Sequence, residues 1–302
     1  MTTYAKQLGR LAALSIMLFA LAAPSHAQPA GAHEEVVMAV PAVALTFSAG
    51  YLAEDLGLFD KHGVRVKSVV IAGTLNRATV EVILRKEFAP SFDPKAPLAQ
   101  RARLMRGRTI AVDSVNSILH AYVLLLARRA GYDPNDIRIA TMAPTSVLAA
   151  YAARQIDGYS MSMPWPLPPV LDGTATRIAS GPDGDPPDMV PFGHNVVVAK
   201  PETCEKRKSA CTKLGRAFAE AVAYMHEHPA ESLALLKKRF ASFDDKLLSA
   251  AFGQILKGTP HPPVVSRADL ENAETYNVDA GLLKPEEKLK SYDGLFTDEY
   301  VR

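Results

Sequence analysis

Cysteine and tryptophan are nearly absent from this 302-residue sequence, with two and one copies, and neither charge sign is in large excess, at 34 Lys+Arg against 32 Asp+Glu. Two cysteines exclude a disulfide-dense scaffold and any four-cysteine zinc site. The balanced charge excludes the basic footprint of a nucleic-acid binder. With 48% hydrophobic residues the chain is not a disordered tail. Missing too are a Gly-x-Ser-x-Gly elbow, a P-loop and an HExxH pair. His226 and His228 stand two apart, which puts them on different faces of a helix and unsuits them as zinc ligands. Neither metal nor cofactor is expected, and binding is favoured over catalysis.

A membrane-spanning run is lacking as well. Residues 11–23 (LAALSIMLFALAA) are apolar but stop at Pro24, short of the roughly 20 residues that a spanning helix needs. Lys6 and Arg10 precede that run, and Ser25-His26-Ala27 follow it with small residues at cleavage positions. The pattern is that of a secretory signal peptide, residues 1–27. Its removal takes away Lys6 and Arg10, leaving 32 basic and 32 acidic groups. With no cysteine near the cleavage point, a lipid anchor is excluded, and the mature chain is expected to be soluble and exported. Export places Cys204 and Cys211 in an oxidising compartment, which predicts a disulfide around EKRKSA.

What is present is an alternation of strands and helices. VVMAV (36–40) reads as a buried strand, Ser48 to Leu56 as a helix, and VRVKSVVIAG (64–73) as a strand. ATVEVILRK (78–86) follows so soon that a hairpin, rather than a crossover helix, is expected. From Pro97 the order is helix, strand RTIAV, helix SILHAYVLLLARRAG, strand IRIATM, helix TSVLAAYAARQ, strand GYSMSM. That order predicts a parallel α/β sheet. The central helix has Ser114 or Asn116 as N-cap candidates, Arg128 and Arg129 in its last turn and Gly131 after it. Pro- and Gly-rich stretches occupy 164–169 and 181–188, and FGHNVVVAK reads as a further strand. From Lys213 onward helices alone are expected, the last opened by Ser266 with Asp269 at capping-box spacing.

Four segments carry a family resemblance: AGYLAEDLGLFDKHGVRVKSVVIAG, LMRGRTIAVDSVNSILHAYVLLLARRAGYDPNDIRIATM, LAAYAARQIDGYSM and NVVVAKPE. In this order, ahead of a helical C-terminus, they resemble the periplasmic substrate-binding proteins of ABC importers, of the nitrate, sulfonate and taurine type. These share their fold with thiamine-pyrimidine precursor proteins. The resemblance implies a type II-like clamshell of two α/β lobes with a helical C-terminal region. Residues 28–78 and 201–302 would form lobe 1 and residues 79–200 lobe 2, with crossing strands near 79–86 and 195–200. It further implies a periplasmic, monomeric receptor for a small organic solute, with an inner-membrane ABC permease as partner. The chain departs from the family where VVIAG runs almost directly into TLNRATVEVILRK, so lobe 1 is expected to lack a βαβ unit. Two alternatives remain: an exported small-molecule enzyme of the same fold, and a degenerate, shortened relative without solute binding.

Ligands of open α/β sheets lie beyond the carboxyl ends of strands. That rule singles out Thr46-Phe47-Ser48, where Ser48 doubles as a helix cap, and Asp113-Ser114-Val115-Asn116-Ser117 at a helix start. It also singles out Met163-Pro164-Trp165, with the chain's one tryptophan. Phe47, Ser48, Ser114, Asn116, Ser117, Met163 and Trp165 are therefore candidate ligand residues, with Thr46. The resemblance adds His194 and Asn195 near the hinge. Met142 and Thr145, at the next turn, rank lower.

Overall fold

The computed structural model describes residues 34–38, 47–68, 75–199 and 201–301. The expected leader, residues 1–27, and the candidate ligand residue Thr46 lie outside the described residues, as do the ends of the two N-terminal strand runs.

The first layer is a βαβ unit. β1 (Glu34–Met38) pairs in parallel with β2 (Val64–Ser68), and α1 (Ser48–Asp55) and α2 (Leu58–Lys61) lie between them in sequence. Gly57, at φ +66°, turns the chain between the two helices in a left-handed conformation that a Cβ would strain. Leu52 and Ala53 are fully buried, and Phe59 meets Phe218 edge to face at 6.0 Å. This packing presses α1 and α2 against α8 (Lys208–Glu227). Six residues separate Ser68 from Leu75, too few for a crossover helix.

The expected hairpin does not form. β3 (Val80–Arg85) leaves β2 and enters a second sheet, with β4 (Thr109–Val112), β5 (Arg138–Thr141), β6 (Gly158–Ser162) and β7 (Ala175–Ser180), in the order β5-β4-β6-β3-β7. β4 is parallel to β5 and β6, while β3 is antiparallel to β6 and β7. All six residues of β3 are buried, as a strand flanked on both edges requires. β7 was not legible in the sequence, because ATRIAS carries Arg177 amid Gly and Pro. Gly158 admits the close approach of β3: a Cβ there would lie 2.2 Å from the Ile83 carbonyl oxygen.

Helices α3 (Leu98–Ala102), α4 (Ile118–Arg129) and α5 (Pro144–Ala152) alternate with strands as expected. The α4 cap is Ser117, whose Oγ accepts from His120 N–H, and not Ser114 or Asn116. Asn116 instead sits at φ +64°. A short α6 (Leu167–Leu171) occupies the Pro-rich stretch, where no helix was expected. The run 192–200 is not a strand: among its described residues it makes one isolated antiparallel bridge, Leu75 with Asn195. Val197 and Val198 are exposed there, so its apolar character does not mark core.

The C-terminal third is helical: α7 (Pro201–Lys206), α8, α9 (Pro229–Lys237), α10 (Asp245–Lys257) and α11 (Arg267–Asp279). Cys204 and Cys211 are disulfide-bonded across the break between α7 and α8. The capping box at Ser266 and Asp269 is complete. α9 packs on α1 and α8, whereas α11 packs on α4. There the Tyr276 hydroxyl donates to the Ile118 carbonyl at 2.8 Å, and Arg129 pairs with Asp279 at 2.6 Å. Among the described residues, no helix is long and apolar enough to cross a membrane.

Candidate functional site

Because β4, β5 and β6 are parallel and β7 runs the same way through β3, the carboxyl ends of four strands reach one edge of the sheet. The start of β3 lies at that edge too, with Val80 opposite Ser162 and Glu81 opposite Ser180. Four loops follow from this geometry: 113–117 after β4, 142–145 after β5, 163–165 after β6 and 181–186 after β7.

The loop after β4 is closed on itself. Asp113 accepts from the Ser114 N–H and the Ser117 hydroxyl, and His120 Nδ1 accepts from Asn116 N–H at 3.0 Å. Ser114 and Asn116 are exposed and Ser117 half-buried. Asp113 thus ties the loop to the start of α4. Burial lowers the pKa of His120, consistent with a neutral ring that accepts at Nδ1.

The loop after β6 is packed inward. Met163 is fully buried, and Trp165 is 8% exposed, its ring edge to face with Phe243 at 5.1 Å. Phe47 and Ser48 are buried at the start of α1, in the first layer. Phe47 is the N-cap position and makes no side-chain cap bond, so Ser48 is the first helical residue and not the cap expected. Met142 and Thr145 flank the start of α5 after β5.

His194 and Asn195 lie beside the chain segment that carries β2 into β3. Leu75 N–H donates to Asn195 O and His194 N–H to Leu75 O, both at 2.9 Å. Thr79 N–H donates to His194 Nδ1 at 2.9 Å, with Thr79 Oγ1 3.0 Å from the same nitrogen. Burial pushes the His194 pKa down to about 4, against a backbone hydrogen bond to Arg77 that pulls it up. A ring that accepts an amide N–H at Nδ1 is neutral there.

Beside it is a cluster that the sequence reading missed. Glu81, fully buried in β3, lies 2.9 Å from Arg177 Nε and accepts from the Ser180 hydroxyl at 2.8 Å. Its Oε2 has no partner. Burial raises its pKa, opposed by Arg177 and Ser180. Asp183, in the loop after β7, pairs with Lys257 of α10 at 2.6 Å. Burial alone would raise its carboxyl, but Lys257, Ser180 and Arg177 together hold it below the ordinary value. The legible signal was Glu81 itself, an acid inside an apolar run; its partner on β7 was not. Among the described residues no cluster of His, Cys, Asp and Glu suits a metal ion.

Two cavities lie elsewhere. One of about 450 Å³ is lined by Leu270, Glu274, Leu282 and Tyr292 between α11 and the C-terminal segment. The other, of about 300 Å³, lies beside Phe92, Gln100 and Arg101. Neither touches the residues singled out above.

Residues 94–232 match the family model described as NMT1/THI5 like. No curated protein matches the chain. Among solved structures, a protein of Bordetella bronchiseptica RB50 is similar with a TM-score of 0.69 and 15% identity, covering 90% of this chain and 96% of that one. The periplasmic aliphatic sulphonate binding protein SsuA of Escherichia coli is similar at 0.58 and 16%, covering 83% and 86%. The desulfurization enzyme DSZB is similar at 0.55 and 12%, covering 89% and 98%. The fold is therefore that of the periplasmic binding proteins, and an enzyme shares it.

Proposed function

We propose that this protein is an extracytoplasmic receptor that encloses a small organic solute between two α/β lobes and presents it to an inner-membrane ABC permease. The observation that carries this reading is the gathering of four strand ends at one sheet edge, beside the paired segments 75–79 and 192–195 that lead from one layer to the other. Two adjacent crossings of this kind make a hinge. Ligand contacts on both sides of it then favour the closed form. In this reading the solute meets lobe 1 near the start of α1, where Phe47 and Ser48 are buried. Ser114, Asn116 and Ser117 face it from lobe 2, with the buried Met163 and Trp165 supporting the neighbouring loop and His194 and Asn195 at the hinge.

The fold shared with an aliphatic sulphonate binding protein supports sulfonates as the first class to try, with taurine and nitrate beside them. Binding is favoured over turnover because both cysteines of the chain are tied in the disulfide, leaving no thiol nucleophile. The test is a thermal-unfolding screen of residues 28–302 with sulfonates, taurine, nitrate, aromatic acids and pyrimidines. A solute at 100 times its Kd adds about 2.7 kcal/mol of stability, which raises Tm by several degrees. A flat response across all classes refutes the receptor reading, and chemical change of a recovered solute replaces it with the enzyme.

A further inference from the structure

We propose that the solute of this receptor is uncharged, an amide-, imide- or alcohol-like organic molecule rather than an acid or an amine. The inference rests on the receptor reading above and narrows its ligand. Likeness of fold makes sulfonates the first class to try, while the residues of this chain point past them. The stretches that follow the carboxyl ends of β1, β2, β4, β5, β6 and β7 are 39–47, 69–76, 113–117, 142–145, 163–165 and 181–186. Together they hold no lysine, arginine, histidine or glutamate, and three acids, Asp113, Asp183 and Asp185.

Each of those acids is already joined. Asp113 accepts from the Ser114 N–H at 2.7 Å and from the Ser117 hydroxyl. Asp183 pairs with Lys257 at 2.6 Å and lies 3.9 Å from Arg177, and Asp185 takes both arms of the Arg101 guanidinium at 3.0 and 3.1 Å. Cations that neighbouring elements bring to this edge are thereby neutralised in place. Helix N–H groups, the other means of holding an anion, are spent as well. In the turn into α4, Asn116 N–H donates to His120 Nδ1 and His120 N–H to Ser117 Oγ. α5 opens on Pro144, which has no N–H to give. What the edge does offer is neutral: the exposed Ser114 hydroxyl and Asn116 carboxamide, each able to donate and accept, with Val115 59% exposed between them. An ion enclosed here loses its water and gains no counter-charge, whereas a neutral polar molecule finds both donors and acceptors. The cation that an acid would have to draw on is Arg77, whose Nη1 donates to the Pro182 carbonyl at 3.1 Å.

The test measures Kd by calorimetry for probes matched in skeleton and differing in charge: benzamide against benzoate and benzenesulfonate, uracil against orotate, benzyl alcohol against benzylamine. In whichever set binds, the neutral member is expected to bind at least about tenfold tighter than its charged partners. Val115→Arg places a cation at the exposed loop tip and is expected to narrow the gap between the neutral probe and its acid by about tenfold. Arg77→Gln is expected to leave the neutral probe's Kd unchanged. An acid or amine that binds as tightly as its neutral partner overturns the inference and leaves the receptor standing, and loss of that acid's binding in Arg77→Gln would identify the cation that holds it. A panel in which nothing binds removes the receptor reading and this inference with it. The comparison on the unaltered chain decides the matter even if a variant fails to fold.

Discussion

Acidification should destabilise the fold through His194, where segments 75–79 and 192–195 meet. Its ring is held neutral, with Thr79 N–H donating to Nδ1 at 2.9 Å, and burial lowers its pKa from 6.5 to about 4. A histidine whose folded pKa is depressed binds fewer protons folded than unfolded below its unfolded value, so stability falls as pH drops from 6.5 toward 4. Evaluating the binding polynomials with those two values, the loss between pH 7 and pH 5 is about 2 kcal/mol. Glu81 works the other way: its raised carboxyl takes up a proton in the folded state first, which favours folding as pH falls. His120, also lowered by burial, adds to the loss, so the unaltered chain alone mixes several effects and a variant must separate them. His194→Asn keeps an acceptor oxygen near the Nδ1 position for Thr79 and removes the titration. Urea unfolding of both proteins at pH 7, 6 and 5 should show the unaltered chain losing about 2 kcal/mol more than the variant over that span. Parallel stability curves would refute the argument that His194 is neutral and buried at the crossing of the two segments.

Gly158→Ala drives a Cβ to 2.2 Å from the Ile83 carbonyl oxygen, parting β3 from β6; a loss of about 3 kcal/mol or more is expected in chemical unfolding, and a loss below 1 kcal/mol would contradict the register. Ser266→Ala removes the side-chain half of the capping box and should cost about 1 kcal/mol, read as a lowered urea midpoint with unchanged m. Reducing the Cys204–Cys211 bond reopens a short loop and should cost about 2 kcal/mol, so differential scanning calorimetry with and without reductant should give two distinct Tm values. Tyr122→Phe deletes a fully buried hydroxyl that donates to the Asp185 carbonyl at 2.8 Å; the orphaned acceptor should cost about 1–2 kcal/mol, with a native circular dichroism spectrum.

Local chemistry was legible wherever neighbours along the chain settle the matter. Apolar periodicity marked β4, α4, β5, α5 and β6. Arg128, Arg129 and Gly131 marked where α4 ends, Gly131 at φ +81°. Ser266 and Asp269 marked the start of α11, since a cap bonds within its own turn. The disulfide followed from seven residues of separation and the expectation of export.

Partnership across the fold was not legible, because an apolar run reports that a strand is buried and not beside what. VEVILR read as the second arm of a hairpin, yet its neighbours come from β6 and β7, about 80 to 100 residues onward. VVVAK reads equally well as a strand, but Val197 and Val198 face solvent. Met163 and Trp165 follow a strand end, as a ligand contact should, and tertiary packing buried Met163 and set Trp165 against Phe243. Glu81 was visible as a lone acid in an apolar run. The desolvation of that carboxyl is opposed by Arg177 and Ser180 on another strand, and a charge's distant partner has no local signature. The residue order by itself determined the α/β class, the helix ends and the disulfide, all governed by contacts a few residues apart. Tertiary structure alone decided which strands share a sheet and which loops meet at its edge, because those contacts arise from burial in three dimensions.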